Sequence, residues 1–407
     1  MRFIDGEKEV FGLFDAATRG YPATQGVFAP TGDGDLRPAV YAPEASYVET
    51  AASALGALFP EDFDPLMAGR LAGRAFPTAP AWDESLGDIV VADYAAGPSG
   101  SAADPEASLL AGILAAVVRQ SGPRLLLADG AGPEGAALSE AIAGVPGLRL
   151  ALLYPEGQAA GGVRSQRLAR EGGQVSLFSV RGDSRTVDRL IREAAGKDLA
   201  GMGATAAGPA NPARLAARIV VLASTFSMLR RGAASDFFLG IGAGDGLGFA
   251  ACLWAWRLGL PLMGMVLPVG EKGELGLDEA GGELVDRFDA DRPGVIRSLA
   301  LLQPVDDGSA RTSRAALVAA GGPGLDLASA MALVAAERAL DAGLRGHARI
   351  LVPRGADPRW DAASGTAPGV AHDSRGGPAS PGVGLRDARV DAEIGPSLRE
   401  LERALTA

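Results

Sequence analysis

The chain has 407 residues, enough for two or three compact units, and 47% of them are hydrophobic, which excludes a disordered protein. A net charge of −11 argues against a nucleic-acid surface, which needs clustered lysine and arginine. One cysteine, Cys252, and two histidines, His347 and His372, exclude an intramolecular disulfide and a cysteine-rich metal cluster, so no metal site is expected.

The N-terminal stretch MRFIDGEKEV has no apolar run of the kind a secretion signal needs, and a cytoplasmic protein is the expectation. The first hundred residues mix turns near PTGDGD with a helical stretch around YVETAASALGALF. Residues Pro105–Gln120 predict a helix with Asp104 as N-cap. From there strand and helix signals alternate. Arg124–Ala128, Leu148–Tyr154 and Val175–Val180 are short apolar runs that read as strands. The stretches EGAALSEAIAG, VRSQRLAREGG and SRTVDRLIREAAG follow them as helices, the last capped by Ser184 and ended by Gly196. Asn211 before Pro212 marks the start of a long helix ending in two arginines. The strand DFFLGI then leads into GIGAGDGLG, Gly240–Gly248. Leu247–Pro268 is apolar but broken by Arg257 and by Gly259–Pro261, so it predicts a buried helix and strand and no membrane span. LDLASAMALVAAERALDAG predicts a helix and ARILVP a strand. Ala363–Gly384 is rich in glycine, proline and serine and reads as a flexible linker before a terminal helix, SLRELERALTA. Apolar strands alternating with helices imply an α/β protein with parallel sheets covered on both faces.

A glycine loop between strand and helix offers free backbone N–H groups beside a positive helix end, a setting that favours an anion. In GIGAGDGLG the glycines miss the dinucleotide offsets, since Leu247 stands where the third glycine would fall, and no phosphate-binding G-K-[ST] follows. Glycine here is equally compatible with tight strand-to-helix packing alone. A second such loop, Asp129–Ala137, also follows a strand and opens a helix, and two loops on one sheet would converge on one crevice.

The order of elements and several segments resemble threonine synthase, in the fold-type-II family of pyridoxal-phosphate enzymes. LLLADGAGPEGAA resembles the family's substrate-carboxylate segment, and LLYPEGQAAGGVRSQRLAREGG its YPEG segment. NPARLAARIV is similar to NWARLLAQIV and keeps Asn211, Ala213 and Arg214. GIGAGDGLGFAACLWAWRLGLP resembles the family's cofactor-phosphate loop. The resemblance runs to about Pro358. It implies that fold with an N-terminal extension, divided as residues 1–95 (N-terminal domain), 96–205 (small α/β domain), 206–362 (large α/β domain), 363–390 (linker) and 391–407 (terminal helix).

The resemblance also implies a phosphate loop at Gly244, Asp245, Gly246, Leu247 and Gly248, and ligand-binding positions at Ser99, Asp129, Gly130, Ala131, Gly132, Pro133 and Asn211. AAGPSGSAAD, Ala95–Asp104, is similar to the family's FHGPTLAFKD, whose lysine forms the internal aldimine. Gly97, Pro98 and Asp104 match, Ser99 replaces threonine, and Ala103 occupies the lysine position. Alanine can neither hold the cofactor covalently nor move protons. The other candidates are Lys8, Lys197 and Lys272, of which Lys272 in the GEKGE loop is the one that could substitute. Asp129 and Asp245 add negative charge where anions would sit, and Arg164 and Arg167 replace a Q-x-x-Q pattern. The reading is therefore a pseudoenzyme without a catalytic residue or cofactor, binding a small anionic or amino-acid ligand. The alternatives are an active threonine synthase, which would require pyridoxal phosphate, and a dimeric scaffold or interaction protein. A homodimer is compatible with all three.

Overall fold

The computed structural model describes residues 1–406 except 25, 43, 131, 157–172, 233–236, 359 and 362–391. The predicted helix VRSQRLAREGG, with Arg164 and Arg167, lies outside the described residues, as do Ala131 and the predicted linker.

The N-terminal segment forms a small antiparallel sheet of β1 (Phe3–Ile4), β2 (Val10–Phe11) and β3 (Ala29–Pro30), with α1 (Leu13–Arg19), α2 (Arg37–Val40), α3 (Tyr47–Leu58) and α4 (Pro65–Ala75). Two larger sheets follow. One has the order β15-β8-β7-β6-β10-β9, from β6 (Arg124–Asp129), β7 (Leu148–Pro155), β8 (Val175–Val180), β9 (Asp198–Leu199), β10 (Met202–Ala206) and β15 (Ala392–Ile394). The other has the order β13-β12-β11-β14-β5-β4, from β4 (Ala81–Leu86), β5 (Ile89–Asp93), β11 (Phe237–Gly240), β12 (Leu262–Val269), β13 (Ala300–Pro304) and β14 (Arg349–Arg354). Both are parallel apart from the edge strands β9 and β4, which pair antiparallel with their neighbours.

The helices are α5 (Ala103–Ser121), α6 (Pro133–Ile142), α7 (Ser184–Ala194), α8 (Pro212–Gly232), α9 (Gly246–Arg257), α10 (Glu279–Asp291), α11 (Val295–Leu299), α12 (Asp307–Ala319), α13 (Leu327–Ala339) and α14 (Leu398–Thr406). Alternate strand residues feed different cores. Val90 and Ala92 of β5 join the central core while Ile89 and Val91 join that under α13. Leu126 and Ala128 of β6 face the central core, and Leu125 and Leu127 that under α7 and α14. Burial on both faces is why these strands read as unbroken apolar runs. Helix α8 is long and apolar enough to cross a membrane, but 89% of its most apolar stretch is buried inside the fold.

Two expected caps move. Helix α7 is capped by Asp183, whose carboxylate accepts the Thr186 N–H at 3.0 Å, so Ser184 is the first helical residue. Helix α5 begins at Ala103, with Ala102 as an N-cap that makes no side-chain bond, so Asp104 already lies within the first turn. The proline that suggested a later start sits at the third helical position. It is tolerated there because first-turn N–H groups have no partner within the helix. Asn211 caps α8 as expected, its Oδ1 accepting the Ala213 N–H at 3.0 Å.

Candidate functional site

The carboxyl ends of β5, β11 and β14 and the first turns of α5, α6, α9 and α13 surround a cavity of about 220 Å³, closed from behind by the middle of α8. Part of its wall is apolar: Ala103, Val221, Leu222, Leu239, Ile241 and Pro353. Polar groups at its edge include Glu106, Glu134, Arg218, Asp245 and the Asp326–Ser329 pair.

The segment before α5 fixes the position of residue 103. Asp104 folds its carboxylate back onto the Ser99 N–H at 3.1 Å, which only glycine at position 97 permits, since a Cβ there would lie 2.1 Å from that oxygen. Ser101 Oγ accepts the Ala103 N–H at 3.1 Å, and the Ala102 N–H donates to the Gly355 carbonyl at 2.7 Å. The Ala103 side chain is thereby held in the cavity wall, 4% exposed. Burial pushes the Asp104 carboxyl above its ordinary range.

Behind the wall runs a chain of alternating charges. Glu134 pairs with Arg214 at 3.0 Å, and Arg214 pairs with Glu106 at 2.8 Å. Glu106 pairs with Arg218 at 2.5 Å, and Arg218 with Asp245 at 2.8 Å. Glu106 and Arg214 are almost wholly buried, while Glu134 and Asp245 at the two ends remain about a third exposed. A buried carboxylate is tolerable only when so paired.

Asp245 is also the N-cap of α9, its Oδ1 accepting the Gly248 N–H at 2.8 Å. The neighbouring Gly246 N–H donates to Asp278 Oδ2 at 2.9 Å, while Asp278 Oδ1 accepts the Gly281 N–H at 2.7 Å. Helices α9 and α10 touch backbone to backbone here. A Cβ on Gly281 would lie 2.2 Å from the Gly246 carbonyl carbon. Burial raises the Asp278 carboxyl, with the Asp245 charge adding to it and the N–H bonds opposing.

The nucleophiles near the cavity are quiet. Cys252 is buried, and burial raises its thiol far from the thiolate that reacts. Tyr94 donates to Thr225 Oγ1 at 3.0 Å, and burial raises its phenol too. Ser329 Oγ donates to Asp326 and accepts the Gly355 N–H at 2.9 Å, and among the described residues no histidine lines the cavity beside the pair. His347 is exposed. Among the described residues no group of three histidine, cysteine, aspartate or glutamate side chains is placed to hold a metal.

The architecture matches solved threonine synthases over its whole length. The Escherichia coli enzyme aligns with a TM-score of 0.80 at 17% identity, covering 100% of this chain and 99% of that one. The PLP-bound threonine synthase from Brucella melitensis gives 0.74 at 18% identity, with 100% and 98% covered. The yeast enzyme gives 0.74 at 13% identity, with 98% and 96% covered. The chain has the threonine synthase fold. No protein-family model and no curated protein matches the sequence.

Within this threonine synthase fold the positions singled out in the sequence separate into two groups. Ala103, Pro133, Asp245 and Gly248 line the cavity, with Gly244, Gly246 and Leu247 adjoining Asp245 in the turn. Ser99, Asp129, Gly130, Gly132 and Asn211 are not in the lining. Asn211 is buried and donates to the carbonyls of Ala17 and Ala206 at 2.9 and 2.8 Å, tying α8 to α1 and β10. Gly130 donates to the Leu153 carbonyl at 2.7 Å, continuing the β6–β7 ladder. The lysines Lys8, Lys197 and Lys272 are all exposed, and none lines the cavity. Sequence reasoning missed Glu106, Glu134, Arg218 and Asp278, and saw Arg214 only as part of the resemblance.

Proposed function

We propose that the chain is a threonine-synthase-like pseudoenzyme that has given up pyridoxal-phosphate chemistry and binds a small amino-acid-like molecule non-covalently in the retained cavity. The observation that carries this reading is the Ala103 methyl in the cavity wall, with every lysine on the outer surface. The residues present do not fit pyridoxal phosphate. No amine reaches the cavity to anchor its aldehyde, and the glycine-rich turn at α9 gives N–H groups to two carboxylates of its own. The carboxylates of Glu134, Glu106 and Asp245 outnumber the one guanidinium in the cavity lining, that of Arg218, which works against a phosphate dianion. A zwitterionic ligand with an apolar side chain carries no such penalty, and the apolar half of the cavity would receive that side chain.

The test is incubation of purified protein with pyridoxal phosphate, borohydride reduction and mass mapping of every lysine. The expected result is no stoichiometric adduct, with at most slow scattered labelling of exposed lysines. A single adduct at Lys272 would overturn the reading in favour of an active threonine synthase. Calorimetry with a panel of free amino acids and phosphoserine then reads the ligand. Saturable binding of an apolar amino acid but not of phosphoserine is expected, and preference for phosphoserine would refute the assigned ligand class.

A further inference from the structure

The helix start at Gly246–Gly248 has the backbone of an anion site, yet its donors are already engaged. Asp245 Oδ1 takes the Gly248 N–H at 2.8 Å while Arg218 holds its other oxygen at 2.8 Å. Asp278 Oδ2 takes the Gly246 N–H at 2.9 Å while the Gly281 N–H holds its other oxygen at 2.7 Å. Neither carboxylate can swing aside without surrendering a second partner. The space in front of the turn is narrowed as well, since the start of α10 lies against the backbone of Gly246. A tethered carboxylate loses no translational freedom on occupying such a turn, whereas a free anion must, so the internal group wins at ordinary concentrations.

We propose that Asp245 and Asp278 are built-in replacements for a bound anion, closing the α9 cradle to phosphate groups, and that removing both carboxylate groups, and with them the oxygens that occupy its N–H donors, opens a phosphate site there. The inference deepens the functional reading above and rests on it for the cavity, though not for the missing lysine. In the variant with both charges removed, Arg218 loses its Asp245 partner and faces the cradle with a free donor, beside the N-terminus of a 12-residue helix.

The experiment is equilibrium dialysis of inorganic phosphate, and separately of pyridoxal phosphate, against the full chain as wild type, Asp245→Ala, Asp278→Ala and the double variant. Alanine frees the Gly246 and Gly248 N–H groups, which an asparagine oxygen would still occupy, and circular dichroism checks that both helix starts survive the lost caps. Wild type is expected to show no saturable phosphate binding, and the double variant to bind at least about tenfold more tightly than either single variant. Adding Arg218→Met to the double variant should abolish the gain. Three outcomes would overturn the proposal. These are saturable phosphate binding by wild type, no gain in a folded double variant, and a gain that survives Arg218→Met and so lies elsewhere on the surface. The functional reading fails separately. A borohydride-fixed lysine adduct that forms equally well with pyridoxal lacking a phosphate would strike that reading and leave the closed cradle standing.

Discussion

Glu106 is the residue on which the charge chain turns, and its substitution tests whether the chain holds the fold together. Its two oxygens are shared between Arg214 and Arg218, and its side chain is 1% exposed. Glu106→Gln keeps the shape but strips the charge, leaving Arg214, itself 2% exposed, with only the partly hydrated Glu134 as partner. Removing one member of a buried pair costs about 3–5 kcal/mol, because the other charge stays buried. Unfolding entropy of about 2 cal/mol/K per residue makes a 407-residue chain that melts as one unit shift by about 1 °C per kcal/mol. The expected fall in Tm is therefore about 3–5 °C. Glu134→Gln, at the exposed end of the same chain, should cost about 1 °C or less.

The assay is a thermal melt followed by circular dichroism for wild type, Glu106→Gln, Glu134→Gln and the pair, at low and high salt. Salt should shrink the Glu134 effect and leave that of Glu106 in place, since a buried pair is little screened. If Glu106→Gln melts within a degree of wild type, or Glu134→Gln costs as much as Glu106→Gln, the argument from burial is wrong.

Asp326 caps α13 and also accepts the Ala356 N–H at 3.0 Å, so Asp326→Ala should cost about 2–4 kcal/mol, read as a Tm fall of about 2–4 °C. Asp188 is half-buried, and its carboxyl is pushed up to about 6 by burial first and then by Asp129 and Glu279. An acid whose folded pKa is raised binds more protons folded than unfolded, so it lowers stability as pH rises from about 4 to 6. Asp188→Asn should then stabilise by about 1 kcal/mol at pH 7.5, after allowing for its solvent exposure, and the gain should fade toward pH 4 in parallel melts. Ala103→Lys places an amine in the cavity and should give a borohydride-fixed adduct at residue 103 with pyridoxal and pyridoxal phosphate alike. A preference of more than about tenfold for the phosphate would show that the cradle is open. Ala103→Leu should fill part of the cavity and raise Tm by about 1–2 °C while abolishing ligand binding by calorimetry, and a lower Tm would show the cavity to be tighter than its volume implies.

The layered architecture was legible because its signals are local. Strands such as Leu148–Pro155 are apolar runs bounded by turns, and helices such as Leu327–Ala339 carry their own caps. The charge chain was not, because its members meet only in three dimensions. Arg214 and Glu106 are 108 residues apart, and Gly246 and Asp278 are 32 apart. A partial signal existed. Glu106 lies at helical spacing from Leu109, Leu110 and Ile113, all fully buried, so a carboxylate on that face had to be paired. Arg214 and Arg218 likewise stand four apart on a helix with apolar residues on every side. The misplaced caps have a different origin. Asp104 and Ser184 are both chemically suitable, and the choice between neighbours depends on backbone geometry that the sequence does not carry.

The cavity itself bears on the proposal that the chain binds a small molecule. A void in a packed interior costs about 24 cal/mol per Å³, which for about 220 Å³ amounts to about 5 kcal/mol if it were dry and closed. A structural core would shed that cost through larger side chains, and the wall offers easy positions for them at Ala102, Ala103, Gly242 and Ala328. Instead these positions are small and the rim is ion-paired, with Arg218 tied on both sides and Asp245 tied to the helix start. Ion pairs of this kind fix the rim in place, as a preformed site for a weakly polar ligand would need. On the reading proposed above, alanine at position 103 would remove the covalent chemistry, while the cavity volume, apolar wall and ion-paired edge would serve a small non-covalent ligand.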